Sequence, residues 1–498
     1  MAAVAVAVSW TVPSGWVAVA ADSGALGAAA AGGGLSGAGW PAAFGAVALG
    51  QAPAPVAEAL DQAAPLPDKA AIAELVEQTI GAARMVGEGS EAGGPETAST
   101  IGTIPPELVG GLGLSVRDLL TGEELQARGA DRGLAPASTA KILTATAALA
   151  TLGPDAALTT RAVLTIGEGR GGQVTLVAGG DTTLGPDAGD PAQVMGRAGM
   201  GDLARAAAVE LRRSGLERVS VALDDTLFTG PATYPDWQWG PGTTWGAPAT
   251  PLAILDGRAG AAFDAVTFHA DPALVAAEHF AGLLAAAAGD AAVALPLVAV
   301  DSGVTRAEAG EGARELARVD SAPLRQLVGH LLQHSDNTVS EALGRVTGVA
   351  LGLEGSFEGC AEGVKLALDD LGVPTGGLSL DDCSGLSHGS RVGAGTLAGA
   401  LVLAGGAEAP ALGEVARALP VGGLQGTLAE RFSQAPGAGN VRAKTGTLTG
   451  VTSLAGLVQT AGGRQLVFAV IANPDPQVGT WAAREAIDKF VQGLAALE

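Results

Sequence analysis

Basic residues are scarce in this 498-residue sequence, in which 28 Lys and Arg stand against 51 Asp and Glu. The formal net charge is therefore −23 at pH 7. Nucleic-acid binding requires a basic surface that complements phosphate, and electrostatic docking on an anionic membrane requires the same. The charge balance argues against both kinds of partner and indicates an acidic, solvated surface.

Lysine is the rarer of the two strong bases, because only five of the basic residues are lysines. Arginine keeps its proton in proteins, whereas a lysine removed from water can lose its proton and act as a base. In a sequence that prefers arginine so strongly, each lysine is a candidate for a special role. The five are Lys69, Lys141, Lys365, Lys444 and Lys489.

Cysteine is almost absent, with only Cys360 and Cys383 in the whole chain. An even count fits a disulfide formed in an oxidising compartment. Such a bridge would contribute about 3 kcal/mol in the chain-entropy description. Two buried free thiols are the alternative, and the count alone leaves both open.

The N-terminus carries a long uncharged run, because residues 2–21 are almost wholly apolar and the first charge is Asp22. Together with a small-residue pattern at 18–20, this predicts an export segment. It lacks the usual Lys or Arg at its start, so a cleaved signal and a membrane anchor both stay open. Residues 22–66 are rich in Ala, Gly and Pro and predict a spacer, since they can bury little side-chain area.

The remaining chain shows patterns of both helices and strands. Apolar spacing predicts a helix over 67–85 capped by Asp68, a hairpin from 111–119 and 124–128, and a helix over 138–152. Short strands at 162–166, 173–178 and 219–224 then alternate with one long helix at 200–214. Later helices are predicted at 322–333, 338–349, 356–371, 394–404 and 479–496, and later strands at 440–446, 452–460 and 465–473.

Strands at both ends with helices between them predict one α/β domain that is split by an insert. The predicted boundaries are 67–158 and 319–498 for the split domain and 159–318 for the insert. Three of the seven tryptophans crowd into one proline-rich loop of the insert. Clustered tryptophan favours a packed loop over a ligand site. The three are Trp237, Trp239 and Trp245.

The first chemical motif is Ser138-Thr139-Ala140-Lys141 at the start of a helix. Side chains at i and i+3 share one helix face, so the lysine can reach the serine hydroxyl. A serine becomes a good nucleophile when a neighbouring base takes its proton. At a helix start, free backbone N–H groups also favour a developing oxyanion. A Ser three residues before a Lys is common, so this motif is weak on its own.

Two further motifs follow later in the chain. Ser335-Asp336-Asn337 lies between two helices, where it could relay a proton and hold an amide, although ordinary helix capping explains it equally well. Lys444-Thr445-Gly446-Thr447 ends a strand, where the lysine and threonines could bind a carboxylate. Gly446 could let a substrate backbone lie against the strand edge. A strand that ends in a polar turn is the plain alternative.

Taken together, the order of the three motifs and their use of two scarce lysines argue against coincidence. The sequence resembles the penicillin-binding proteins and serine β-lactamases, which share these motifs. Further stretches make it similar to the D-Ala-D-Ala carboxypeptidase/endopeptidase group known as class C penicillin-binding proteins, or peptidase family S13. These stretches are 179–181, 224–228, 384–387 and 426–428.

The resemblance implies an α/β (α+β) fold of the transpeptidase kind. That fold has an antiparallel sheet flanked by helices, an all-helical subdomain and, here, a smaller inserted α/β domain. Cys383 stands where the family often has glycine, which supports its pairing with Cys360. The insert is short for a family whose members can carry two extra domains at that point.

The resemblance also implies roles for the motif residues. Neutral Lys141 would deprotonate Ser138, and Ser335 would pass the proton to the departing D-alanine. Asn337 would hold the peptide amide, and the backbone N–H groups of Ser138 and Thr447 would bind the oxyanion. The terminal carboxylate would bind Lys444, Thr445 and Thr447 beside Gly446, and the Lys444 charge would help to lower the pKa of Lys141.

The expected substrates are peptidoglycan peptides that end in D-Ala-D-Ala, on the cell-wall side of the membrane. β-Lactam antibiotics would form a long-lived acyl-enzyme. The resemblance implies no cofactor and no metal, and the five histidines show no ligand spacing. Endopeptidase activity on cross-links stays open beside carboxypeptidase activity.

The motifs are compatible with two other functions besides the carboxypeptidase. A β-lactamase uses the same motifs, but Ser335 follows Lys141 by 194 positions, which exceeds the class A gap, and no equivalent of its glutamate-bearing loop is found. A silent wall-binding scaffold is the second alternative. The intact Ser138, Lys141, Ser335 and Lys444 argue against it.

Overall fold

The structure is a computed structural model that describes residues 63–81, 111–237, 245–259, 267–290, 292, 295–474 and 479–498. The predicted export segment at 1–21, nearly all of the predicted spacer at 22–66, and Trp239 lie outside the described residues.

The described residues form ten α-helices and twelve β-strands. In chain order they are α1 (Lys69–Val76), β1 (Gly111–Asp118), β2 (Glu124–Arg128), α2 (Ala140–Leu152), β3 (Thr159–Ile166), β4 (Gly171–Val177), β5 (Asp181–Leu184), α3 (Met200–Arg213), β6 (Arg218–Asp224), β7 (Leu252–Ile254), α4 (Pro272–Ala288), β8 (Ala299–Arg306), β9 (Arg314–Asp320), α5 (Leu324–His334), α6 (Asn337–Ala350), α7 (Phe357–Asp370), α8 (Ala394–Gly405), α9 (Gly413–Ala418), β10 (Val441–Leu448), β11 (Val451–Gln459), β12 (Gln465–Asn473) and α10 (Thr480–Ala495).

One antiparallel sheet joins the early and the late parts of the chain in the order β10-β11-β12-β1-β2. Side chains alternate between its two faces, as expected for a sheet buried on both sides. On β12, Phe468 and Val470 face a core that includes α1 and α10. Ala469 and Ile471 face the larger helical core on the other side. The predicted hairpin of β1 and β2 and the three late strands are confirmed.

The helical layer is built around α2, whose residues 140–149 are all buried. A helix that is apolar on every side belongs in a core, and its alanines allow neighbouring helices to approach closely. It contacts α5, α6, α7 and α8. The N-terminus of this central helix is therefore held from several directions, which fixes the position of Ser138.

A second five-stranded sheet has the order β8-β6-β4-β3-β9 and mixes parallel and antiparallel pairs. Its core includes helices α3 and α4. Helix α4 is not among the helices predicted from the sequence. That helix begins with an Asp271 N-cap and Pro272, which are recognisable start signals. The sheet runs from Thr159 to Asp320, which supports the predicted insert, although the boundaries themselves stay a prediction.

A disulfide joins Cys360 on α7 to Cys383, and the two Cα atoms lie 6.5 Å apart. Both cysteines are fully buried. The bridge packs against α6 at Gly344, where a Cβ atom would lie 2.9 Å from Cys360 Sγ and 2.5 Å from Cys383 Cβ. The absence of a side chain at Gly344 therefore lets α6 pass directly over the bridge.

Within the described ranges, no single helix is long and apolar enough to cross a membrane. Two helical segments joined at a sharp bend, Ala394–Gly405 and Pro410–Ala418, are together long and apolar enough to do so by length and composition alone.

Replacement of Gly344 by alanine tests the packing over the disulfide. We expect Gly344→Ala to lower the free energy of unfolding by about 1–3 kcal/mol, because the rigid bridge cannot move away from the new methyl group. Gly282→Ala on α4 is the control, since no atom lies within 4 Å of its Cβ position. It should raise stability by about 0.5–1 kcal/mol through helix propensity. Equal denaturant midpoints for the two variants would contradict this packing.

Candidate active site

The fold brings the three sequence motifs together at one place. Ser138 lies on a 3-10 turn, Ala137–Thr139, that leads directly into α2. Ser335 and Asn337 lie at the junction of α5 and α6, and Lys444 to Thr447 lie on β10, the edge strand of the main sheet. The turn with Ser138 contacts β10. The predicted i, i+3 spacing holds, although helix α2 itself begins after Ser138.

Two glycines allow other backbone segments to approach the Ser138 turn. A Cβ on Gly446 would lie 2.7 Å from the Pro136 carbonyl oxygen and against Ser453 Oγ. A Cβ on Gly385 would lie 2.7 Å from the carbonyl carbon of Ala137. Gly446 therefore serves the contact between β10 and the Ser138 turn. The expectation that Gly446 also lets a substrate backbone lie against the strand edge stays a prediction.

Lys141 is fully buried, and its amine contacts three oxygen atoms. Its Nζ lies 3.1 Å from Ser138 Oγ, 2.5 Å from Asn337 Oδ1 and 2.6 Å from the Ser384 carbonyl oxygen. An amide oxygen and a carbonyl oxygen can only accept hydrogen bonds. A neutral amine that donates to these two oxygens has its lone pair left for the third partner, the Ser138 hydroxyl. The geometry thus suits proton transfer from Ser138 to Lys141.

Burial lowers the pKa of Lys141 to about 8, which brings its neutral form within reach at physiological pH. The charges of Asp382, Glu341 and Asp336 oppose this shift and raise the pKa. Burial is the largest cause of the shift at Lys141. The contribution expected from the Lys444 charge stays a prediction, and the charge of Lys141 in turn lowers the pKa of Lys444.

The turn between α5 and α6 carries the second motif. Ser335 adopts a left-handed conformation with φ 58° and ends α5. Asp336 caps α6, where its Oδ1 accepts a hydrogen bond from Val339 N at 3.0 Å. The ordinary capping explanation is thus right for Asp336, while the residues on either side of it face the two lysines. Asn337 also donates from Nδ2 to the Trp245 carbonyl oxygen.

Lys444 is the second buried lysine of the site. Its Nζ donates to Ser335 Oγ and to the Thr445 carbonyl oxygen, each at 2.8 Å. Burial, and after it the charge of Lys141, lowers the pKa of Lys444 well below its ordinary value. Thr445 Oγ1 lies 3.1 Å from Thr427 Oγ1, and Thr447 is exposed. An anion bound beside Lys444 would stabilise its charged form.

The loop behind Lys141 was not assigned a role from the sequence. Asp382 accepts hydrogen bonds from Trp237 Nε1, Gly385 N and Ser387 N, all at 2.7 Å. These bonds fix the loop that presents the Ser384 carbonyl to Lys141. In the sequence, residues 384–387 show only a family likeness. Every residue has a backbone carbonyl, so the residue type does not reveal which carbonyl contacts Lys141.

Glu341 and the disulfide support the same loop. Glu341 lies one turn after Asn337 on α6 and accepts from Cys383 N through both oxygens, at 3.1 and 3.3 Å. Burial raises its pKa to about 8. The Cys383 carbonyl accepts from Thr144 and Ser340 hydroxyls, each at 2.6 Å. The backbone around Cys383 is therefore held from both α2 and α6.

The two described tryptophans of the predicted packed loop, Trp237 and Trp245, have different surroundings. Trp237 is buried, and its ring packs edge-on against Phe357 at 5.2 Å between centroids. Trp245 is 66% exposed. Its backbone carbonyl is the acceptor for Asn337, so this loop contributes directly to the site.

Among the described residues, one group has the side-chain types that metal ions use: Asp256, His330 and Asp336, with oxygen or nitrogen atoms within 4.8 Å of one another. Asp336 already has both oxygens engaged, by Val339 N and by His330 Nε2 at 3.2 Å. The cluster lies directly behind Ser335 and Asn337. Within it, His330 and Asp336 are in hydrogen-bond contact with each other.

The sequence model of the D-Ala-D-Ala carboxypeptidase 3 (S13) family matches residues 101–277 and 270–497. The chain belongs to this family. A carboxypeptidase of Mycobacterium tuberculosis is 38% identical over 393 residues, which cover 77% of this chain and 80% of that protein. A D-alanyl-D-alanine carboxypeptidase of an Actinomadura species is 31% identical over 457 residues, with 77% and 81% covered.

The fold has a counterpart among solved structures. Penicillin binding protein 4 from Haemophilus influenzae superposes with a TM-score of 0.61 at 18% identity, and the match covers 85% of this chain and 98% of that one. The predicted fold class and family are therefore confirmed. Membership of the S13 family identifies the chain as a peptidase and favours that function over the β-lactamase and the scaffold.

The pKa of Lys141 sets an expectation for the pH dependence of acylation. The ammonium form cannot accept the Ser138 proton, so the acylation rate should rise about tenfold per pH unit at low pH. It should level off above the Lys141 pKa of about 8. Stopped-flow kinetics with a chromogenic β-lactam measures this rate, with Lys365→Arg as a control on an exposed lysine. A profile that is flat between about pH 6 and about pH 9 would contradict the assignment.

Proposed function

We propose that the protein hydrolyses the bond between the last two D-alanines of peptidoglycan stem peptides through an acyl-serine intermediate. The observation that carries this proposal is the contact of 3.1 Å between Lys141 Nζ and Ser138 Oγ, inside a site where the amine is fully buried. Relatives in the same family are carboxypeptidases, which supports this substrate class.

In the acylation step, neutral Lys141 takes the proton of Ser138 as the serine oxygen attacks the carbonyl carbon. The backbone N–H groups of Ser138 and Thr447 bind the oxyanion, and the loss of one such donor would typically cost about 3–4 kcal/mol. Ser335 delivers a proton to the departing D-alanine amine. Water then attacks the ester and releases the shortened peptide, which regenerates free Ser138.

Recognition of the substrate rests on its terminal carboxylate. This group binds to the amine of Lys444 and to the hydroxyls of Thr445 and Thr447, all on β10. In the free enzyme the Lys444 amine contacts Ser335 and a backbone carbonyl. A substrate carboxylate adds the negative charge that favours the ammonium form. Asn337 holds the peptide amide.

β-Lactam antibiotics follow the same first step. The amine of the opened ring stays attached to the acyl group, so it remains in the site after the bond to nitrogen breaks. We therefore propose a penicillin adduct that is long-lived compared with the acyl-enzyme of a peptide.

We also propose that the protein acts outside the cytoplasm, as a secreted or membrane-anchored enzyme. The apolar run at 2–21 and the pairing of the only two cysteines support this location. Fractionation of cells that express the full chain tests it. Recovery of the protein with the cytoplasm, with reduced Cys360 and Cys383, would contradict this location.

Labelling with a fluorescent penicillin, together with release of D-alanine from a peptide ending in D-Ala-D-Ala, tests the proposed activity. Ser138→Ala should abolish labelling and lower the rate of release by roughly four or more orders of magnitude. Lys141→Arg should also be inactive, since arginine keeps its proton. Ser302→Ala on the exposed strand β8 and Lys365→Arg serve as controls that keep full activity.

The fate of the label separates the proposed function from its alternatives. Label that persists on the wild type supports a carboxypeptidase. Label that forms and is lost within seconds would indicate a β-lactamase. A folded wild type without label and without D-alanine release would contradict the enzyme and favour a scaffold.

A further inference from the structure

A strained turn after β7 approaches the turn between α5 and α6 that carries Ser335 and Asn337. Leu255 and Asp256 follow β7, and they adopt φ values of 45° and 59°. Two successive residues other than glycine in the left-handed region are unfavourable, so the surrounding structure must hold them there. The turn places the Asp256 side chain in the cluster with His330 and Asp336.

Asp256 is fully buried, and neither of its carboxyl oxygens has a hydrogen-bond donor among the described residues. Arg258 Nη2 lies 3.9 Å from Asp256 Oδ2, beyond hydrogen-bond distance. An ionised carboxylate without a donor is costly to bury. A carboxyl oxygen of Asp336 and a ring nitrogen of His330 lie within 4.8 Å of a carboxyl oxygen of Asp256. Two facing carboxyl groups are stable when they share one proton.

The surroundings decide which of the two acids carries the proton. Asp336 accepts from Val339 N and faces His330 Nε2, and both contacts favour its charged form. Burial acts to raise its pKa, but the hydrogen bond from His330 and the other contacts lower the pKa of Asp336 overall. At Asp256, burial and then the Asp336 charge raise the pKa well above its ordinary value.

We propose that Asp256 is a positioning residue that keeps its proton at neutral pH and donates it in a hydrogen bond to the Asp336 carboxylate. Asp336 is the middle residue of the turn whose neighbours, Ser335 and Asn337, contact Lys444 and Lys141. The hydrogen bond from Asp256 therefore holds the turn from behind. This inference rests on the proposed function for its kinetic readout.

Other charged groups face Asp256 from the elements packed around it. Asp181 on β5 is buried, and burial raises its pKa to about 6. When ionised, Asp181 adds negative charge that strengthens the hold of Asp256 on its proton. His330 on α5 acts in the same direction, because it favours the charged form of Asp336 and the Asp336 charge keeps the proton on Asp256. Arg258 acts in the opposite direction, since its charge lowers the pKa of Asp256.

The test compares Asp256→Asn with Asp256→Ala in the full-length protein. The asparagine amide can donate the same hydrogen bond without a proton to lose, so the acylation rate by penicillin should stay within about twofold of the wild type. Alanine removes the donor, and the rate should fall about tenfold or more, as for a lost hydrogen bond to a charged group. An asparagine variant as slow as the alanine variant, or an alanine variant as fast as the wild type, would overturn the proposal.

Infrared difference spectroscopy gives a readout that depends on neither catalysis nor the alanine variant. The wild-type minus Asp256→Asn spectrum at neutral pH should contain the C=O stretching band of a protonated carboxylic acid. The absence of this band would overturn the proposal, as would a stoichiometric metal ion that the asparagine variant lacks. A wild type that penicillin does not acylate would contradict the proposed function instead, and the infrared band would still decide the state of Asp256.

Discussion

The burial of the Lys141 amine against three oxygen atoms is the constraint on which the site depends. Each partner comes from a different part of the fold: Ser138 from the turn before α2, Asn337 from the start of α6, and Ser384 from the loop after α7. Burial alone would push the amine toward its neutral form, and nearby carboxylates moderate that tendency. The pKa of about 8 is thus a balance between desolvation and charge.

The supports of this site extend far into the molecule. The Ser384 carbonyl is placed by the hydrogen bonds of Asp382 and by the backbone contacts of Cys383, whose sulfur is bonded to α7. Trp237 donates a hydrogen bond to Asp382 of the same loop. The carbonyl of Trp245, eight positions later in the chain, accepts a hydrogen bond from Asn337. A change at any of these residues can therefore alter the environment of Lys141 without a direct contact to substrate.

The sequence predicted the side chains that the fold brings together at this site, because the motifs are local and use scarce lysines. Ser138 and Lys141 share one turn, and Ser335 and Asn337 flank a helix cap, so spacing alone indicated their proximity. The carbonyl groups of Ser384 and Trp245 could not be predicted, since every residue has one. Gly446 was singled out, but only the tertiary packing shows that its missing side chain admits the Ser138 turn.

The fold was predictable to a similar degree. The strands of the main sheet and the central helix follow clear apolar patterns, whereas strands β8 and β9 are mostly exposed and give weak periodicity. Helix α4 was missed although Asp271 and Pro272 mark its start. In the cluster of Asp256, His330 and Asp336, Asp256 lies more than 70 positions before the other two residues, so no spacing rule could reveal its proximity to them.

The protonation state of Lys141 is the central claim, and carbon-13 NMR of labelled lysine side chains measures it most directly. Only five lysines contribute signals, so Lys141→Arg suffices to assign the resonance. We predict that the Lys141 Cε signal titrates with a pKa of about 8. A Lys141 signal that titrates with the ordinary lysine pKa of about 10.4 would contradict the account, because the amine would then be charged when it must accept the proton of Ser138.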